Sequence, residues 1–154
     1  MKRQPMTNMI ASPMLMELPI AIQPSALKVL VVDDARVVRD RIVELLVESG
    51  LVGIIGLAVD VRSTLEAIEE AGPQVVILDI GLPGTLHLRN GLDVLRWIKQ
   101  TRPYIYVVIL TNLSDLAYRE ASKELGAYAF LDKSREFDQL LDIVKQLSNL
   151  VSQK

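Results

Sequence analysis

Asp33, Asp34, Asp79, Thr111 and Lys133 share one feature: each lies at or just after the end of a short apolar run. Three carboxylates brought to one place repel each other, and a hard, oxygen-seeking cation relieves that repulsion. Mg²⁺ suits such a site because it keeps several of its waters. An ammonium and a hydroxyl beside it would stabilise the equatorial oxygens of a phosphoryl group in transfer. One of the carboxylates is then the nucleophile, and its product is an acyl phosphate. A plainer reading exists for each residue alone. An Asp after a strand is often only the cap of the next helix, and a Lys before a final helix usually faces solvent. Five such residues at successive run ends favour the chemical reading.

That reading needs the runs to be neighbouring strands. The runs are Leu30-Val31-Val32, residues 54–59, Val75 to Leu78, residues 105–110 and Ala127 to Leu131. Between them apolar residues recur at helical spacing. Residues 36–49 carry them at 38, 42, 45 and 46, and Gly50 closes the segment. Residues 62–71 read as a short helix stopped by Gly72-Pro73. Leu92, Leu95 and Ile98 share one helical face that ends near Arg102-Pro103. A polar helix over 114–124 is closed by Gly126, and a last helix over 136–151 presents Phe137, Leu140, Leu141, Val144 and Leu147. Strand then helix, five times, with strands apolar throughout, means a parallel sheet buried on both faces. The expected fold class is a doubly wound α/β three-layer sandwich. Ligands of such sheets bind at the carboxyl edge of the strands. Periodicity alone leaves the strand order open.

Composition removes several alternatives. The chain has 154 residues, half of them hydrophobic, which suits one domain with a core of its own. Seventeen basic residues stand against nineteen acidic ones, so no nucleic-acid footprint is indicated. There is no Cys, which excludes disulfides, thiolate nucleophiles and Cys-based metal sites. One His cannot build a multi-histidine metal centre. No apolar run is long enough for a membrane span. Residues 1–27 differ from the rest, with all five Met in the first 16 positions and Pro at 5, 13, 19 and 24. They read as a flexible N-terminal extension. The alternative is a docking arm, in which Met14, Leu15, Leu18 and Ile20 cover an apolar patch.

With these residues in view, the chain resembles the receiver domain of two-component response regulators over about 28–150. The resemblance is carried by Asp33-Asp34, by Asp79 closing the third run with Pro83 four residues on, by Thr111, and by GAYAFLDKS, which puts Phe130 three residues before Lys133. It implies the flavodoxin-like (βα)5 fold with strand order 2-1-3-4-5. It implies that Asp79 is phosphorylated by a partner histidine kinase or histidine phosphotransfer protein, with Mg²⁺ as cofactor. Asp34 resembles the direct metal ligand, Asp33 the residue holding a metal-bound water, and the Gly81 carbonyl the third protein ligand. Lys133 resembles the salt-bridge partner of the phosphoryl group or of Asp79. Thr111 resembles the hydroxyl that shifts toward the phosphoryl group, and Phe130 the aromatic switch. The implied protein is cytoplasmic and binds neither membrane nor nucleic acid. Its output is a changed surface on the fourth helix, fifth strand and fifth helix, met by a downstream protein target or by a second copy in a homodimer.

Four departures from the family pattern stand out. The Gly expected eight residues after Asp79 is Gly91, twelve after, so the loop gains about four residues within Thr85 to Asn90. Lys133 is followed by Ser134 instead of Pro, position 112 is Asn instead of a small residue, and the switch aromatic is Phe. Gly81 and Leu113 offer no polar group to a hydrolytic water, which leads to an expected slow loss of the phosphoryl group. His87 is expected to face solvent or a partner, Trp97 to be half-buried, and the polar fourth helix to be a solvated face. A free-standing receiver is the first expectation, and a receiver portion of a longer regulator or hybrid kinase the second. An aspartyl-phosphate hydrolase of the haloacid dehalogenase type needs an Asp where Gly81 stands. A flavin carrier needs a Ser/Thr/Gly-rich phosphate loop where Asp-Asp-Ala-Arg stands.

Overall fold

Residues 26–153 are described by a computed structural model in which five strands and five helices alternate. They are β1 (Leu27–Val32), α1 (Arg36–Glu48), β2 (Val52–Ala58), α2 (Val61–Ala71), β3 (Val75–Leu78), α3 (Gly91–Thr101), β4 (Tyr106–Thr111), α4 (Leu116–Glu124), β5 (Ala129–Asp132) and α5 (Leu140–Ser152). A single 3₁₀ turn, Phe137–Gln139, leads into α5. The strands form one sheet, every pair parallel, in the order β2-β1-β3-β4-β5. Fold class and strand order are thus as expected. The proposed extension falls outside the described residues except for Ala26 and Leu27, and Leu27 is already part of β1.

Alternation along the central strands divides the core in two. Val29 and Val31 of β1 point to one face, where they pack with Ile42 and Leu46 of α1 and with Val144 and Leu147 of α5. Leu30 and Val32 point to the other, with Val61 and Ile68 of α2 and Val94, Leu95 and Ile98 of α3. Trp97 is half-buried at the edge of that second cluster, under the Arg102 guanidinium. Removing one of these fully buried Leu side chains costs about 2–5 kcal/mol, so the sheet is a rigid base for whatever its edge carries. Among the described residues no helix is long and apolar enough to cross a membrane.

Several boundaries move, each for a local reason. β2 runs Val52–Ala58 instead of 54–59, and its register against β1 slips between Val29 and Leu30, leaving Ile55 bulged. β5 starts at Ala129 and includes Asp132, which pairs with Thr111. α4 starts at Leu116, because Asp115 caps it by accepting from the Tyr118 amide. The longer loop after β3 is pinched shut at its neck. A Cβ on Gly84 would stand 2.3 Å from the Arg89 carbonyl oxygen, and one on Gly91 would stand 2.3 Å from that of Asp79. Thr85 and Leu88 close the tip with bonds of 2.7 and 3.1 Å. Asp93 anchors the return, taking the Arg89 amide at 2.8 Å and the Arg96 guanidinium at 3.0 Å. The inserted residues therefore loop outward without displacing α3 from Asp79.

Candidate functional site

β1 delivers Asp33 and Asp34 to the carboxyl edge, and β3 delivers Asp79 beside them. The Asp79 amide donates to the Val32 carbonyl at 3.2 Å, which extends the β1–β3 ladder one step and fixes the two strand ends together. Asp33 and Asp79 are buried, and Asp34 is exposed. Asp33 is no helix cap: its Oδ1 accepts from the Ala35 amide at 2.9 Å, while α1 starts at Arg36, preceded by Ala35 and without a side-chain cap. The Arg39 guanidinium of α1 donates to the Asp33 carbonyl at 2.8 Å. The cap roles at α2, α3 and α4 fall to Asp60, Asn90 and Asp115.

Donors from two further strands converge on Asp79. The Thr111 hydroxyl, at the end of β4, donates to its Oδ1 at 2.8 Å, and the Gly81 amide donates to the same oxygen at 3.0 Å. The Leu113 amide donates to the Thr111 hydroxyl at 3.1 Å and so orients it. The Lys133 ammonium, just beyond β5, lies 3.0 Å from Asp79 Oδ2 and 2.5 Å from Asp33 Oδ2. Burial lowers the Lys133 pKa, and its pairing with Asp33 and Asp79 outweighs this, leaving the pKa above the ordinary lysine value. The ammonium stays charged. The Lys133 amide donates to the Thr111 carbonyl at 2.9 Å, the last backbone tie between the two loops. The peptide after Lys133 is trans.

One carboxylate oxygen from each of Asp33, Asp34 and Asp79 lies within 4.8 Å of the others. Asp33 Oδ2 is buried, and its one partner is the Lys133 ammonium. A crowded, all-oxygen set in which three carboxylates share a single ammonium fits a divalent cation. Gly81 and Leu113 border Asp79: a Cβ on Gly81 would stand 3.7 Å from Asp79 Oδ1 and 3.8 Å from Leu113 Cδ1. The structure thus brings Asp33, Asp34, Asp79, Gly81, Thr111 and Lys133 together here. Phe130 lies outside this pocket, half-buried on the α4 side of β5, with the Arg119 guanidinium 4.7 Å above its ring. His87 is exposed at the tip of the loop after β3, as expected.

The polar face of α4 is more than a solvated surface. Arg119 bonds Glu136 in the loop after β5 and is half-buried there. Sequence reasoning also passed over Asp132 and its partner Ser114. Asp132 is visible in FLDKS as an Asp next to the lysine with Ser134 two residues on, whereas Ser114 lies 18 residues earlier. The hydroxyls of Ser114 and Ser134 hold its carboxyl far below the usual range. Arg119 and the Asp132 amide do the same, less strongly, for Glu136.

Comparison with known proteins gives a consistent answer. The response regulator receiver domain model matches residues 29–145. The chain is 30% identical over 125 residues to sporulation initiation phosphotransferase F of Bacillus subtilis, covering 81% of this chain and 96% of that one. It is 32% identical over 121 residues to a protein-glutamate methylesterase/protein-glutamine glutaminase of Koribacter versatilis, covering 77% of this chain and 32% of the relative. Among solved structures, the signal receiver domain of a response regulator NarL from Mycobacterium tuberculosis superposes with a TM-score of 0.73. It is 26% identical and covers 82% of this chain and 98% of that one. Against three of the curated relatives the chain spans only about a third to a half of their length. The matched span takes in β1 from Val29 onward, the other four strands and the acidic pocket, so the chain belongs to the response regulator receiver family, as a phosphoacceptor domain with Asp33, Asp34 and Asp79 clustered in its pocket.

Proposed function

We propose that Asp79 accepts a phosphoryl group from the phosphohistidine of a histidine kinase or histidine phosphotransfer protein. A carboxylate oxygen of Asp79 attacks phosphorus, the P–N bond breaks, and the imidazole leaves with its electron pair and takes up a proton. The observation that supports this best is the holding of Asp79: two donors on Oδ1, one ammonium on Oδ2, and two further carboxylates alongside. That arrangement fixes the nucleophile's orientation before the donor arrives. Asp33, Asp34, Asp79 and the Gly81 carbonyl are the proposed holders of Mg²⁺. Bound there, the ion supplies positive charge beside the incoming phosphoryl oxygens.

The chain's own residues do the rest. Lys133, already charged and half-buried, balances the charge that arrives on Asp79. Thr111 turns its hydroxyl from Asp79 Oδ1 to a phosphoryl oxygen, and the vacated space draws on Phe130. The changed surface is that of α4, β5 and α5, offered to a downstream protein or to a second copy. Whether the unit works alone or within a longer regulator, this exchange is the same. The test is incubation with acetyl phosphate, with Mg²⁺ present and with it chelated. A hydroxylamine-labile phosphoryl adduct that needs the metal is expected. A stable adduct, or one formed equally well in chelator, contradicts the reading.

A further inference from the structure

The loops that carry Thr111 and Lys133 meet at a residue that the phosphoryl chemistry does not use. Asp132 is buried, ends β5 and pairs with Thr111 across the ladder. Its Oδ1 accepts from the Ser134 amide at 2.7 Å, the Ser134 hydroxyl at 2.6 Å and the Arg135 amide at 3.2 Å. These three donors fold the turn directly after Lys133, where the resembling family uses Pro. Its Oδ2 accepts from the hydroxyl of Ser114. Ser114 belongs to the neighbouring loop, three residues after Thr111 and two before α4 begins. One carboxylate thus folds its own loop with one oxygen and holds the adjoining loop with the other.

The main chain of Asp132 makes the same connection again. Its amide donates to Glu136 Oε1 at 2.9 Å, and that oxygen also receives the Arg119 guanidinium of α4. Arg119 reaches the Phe130 carbonyl at 3.4 Å as well. So α4 and the loop leading into it are tied to β5 and its loop at Ser114 and at Arg119, the first tie ending on Asp132 and the second on Glu136, which the Asp132 amide bonds, and on the Phe130 carbonyl. Hydrogen bonds to an ionised acceptor are roughly twice as strong as neutral ones, and networks that share members move together.

Resting on the phosphoacceptor reading, we propose that Asp132 is a positioning residue that joins the Thr111 loop to the Lys133 loop, so that a shift at the phosphorylated site is passed to α4. The test uses the full chain, with amide spectra taken before and after phosphorylation by acetyl phosphate and Mg²⁺. Ser114→Val removes the donor, and Ser114→Thr keeps it in the same shape. In Ser114→Val the shifts at Asp79, Thr111 and Lys133 are expected at normal size, with those of α4 amides reduced by about half or more, because the shared network is cut. Its initial phosphorylation rate stays within about twofold, since no group touching the phosphoryl is removed. Ser114→Thr is expected to behave as the unsubstituted protein, a rescue that a merely space-filling role would not produce. Should Ser114→Val fail to fold, Ser114→Ala removes the same donor without added bulk and carries the same expectation. Normal α4 shifts in the variant lacking the donor, or an equal loss in Ser114→Thr, overturn the proposal while leaving phosphorylation intact. An unsubstituted protein that takes no phosphoryl group overturns the phosphoacceptor reading, and this proposal with it.

Discussion

Asp33 and Asp132 stand at the same edge of the same sheet, each buried at a strand's end, and their surroundings are opposite. Asp132 takes four hydrogen bonds, two from hydroxyls and two from backbone amides. Asp33 has one backbone amide on Oδ1 and, on Oδ2, a single ammonium that it shares with Asp79, while Asp34 and Asp79 crowd it. An ionised carboxylate whose donors are all in place stabilises its loops. One left short of donors costs stability, and the cost is tolerated where a ligand will supply what is missing. The contrast separates the part of the edge that binds and reacts from the part that holds it in register.

That contrast breaks most visibly in cation binding. Asp34→Asn and Asp33→Asn are each expected to weaken Mg²⁺ binding by about tenfold or more, because a ligand charge is lost. Asp132→Ala is expected to leave it within a few-fold. Titration followed by Trp97 fluorescence decides the point, and equal losses in all three would erase the distinction. Stability in chelator should reverse the ranking. Asp132→Ala lowers the urea midpoint, whereas Asp33→Asn changes it less, since relief of like-charge crowding offsets the loss of its pairing with Lys133. Mg²⁺ at ten times its Kd adds about 1.4 kcal/mol to the unsubstituted protein by mass action, and little to Asp33→Asn.

Acid should act on the satisfied network in a defined direction. Hydrogen bonds from Ser114 and Ser134 depress the Asp132 pKa, and those from Arg119 and the Asp132 amide depress that of Glu136. Groups with lower pKa in the folded state stabilise it fully above the unfolded carboxylate range, about pH 4. That stability is lost as pH falls through the folded values. Urea midpoints of the unsubstituted protein and Asp132→Ala are therefore expected to differ at pH 7 and to converge below about pH 4. A constant gap down to pH 2.5 would show that the charge of Asp132 is not what holds the two loops.

The smallest expected effect is on lifetime. Gly81 and Leu113 border Asp79 and present no group that could orient a water. Loss of the phosphoryl group is expected over minutes to hours, on the order of 10²–10⁴ s, without such assistance. Gly81→Asn with Leu113→Glu should shorten it several-fold, and an unchanged decay would remove these two positions from the account.

Why one half of this edge could be read from sequence and the other not follows from where the signals lie. Asp33, Asp79, Thr111 and Lys133 end four separate apolar runs, so a periodic pattern points at each. Gly81 and Phe130 came only through family likeness, and the structure sets Phe130 apart from the pocket, against α4. Asp132 hid because the fifth run was ended one residue early, at Leu131, which made it a loop residue instead of the pairing partner of Thr111. Arg119 and Glu136 are 17 residues apart on different elements, and no local pattern joins them. The added loop after β3 was legible as an insertion through the displaced Gly91. Its pinched neck at Gly84 depends on a backbone approach that spacing does not encode.

Phosphoryl transfer to this domain requires Asp79 as the acceptor. Intact mass spectrometry after acetyl phosphate and Mg²⁺, run on the unsubstituted chain and on Asp79→Asn, tests this most directly. One addition of about 80 Da, the mass of a phosphoryl group, is expected in the first and none in the second. An adduct that persists in Asp79→Asn would place the nucleophile elsewhere and contradict the account.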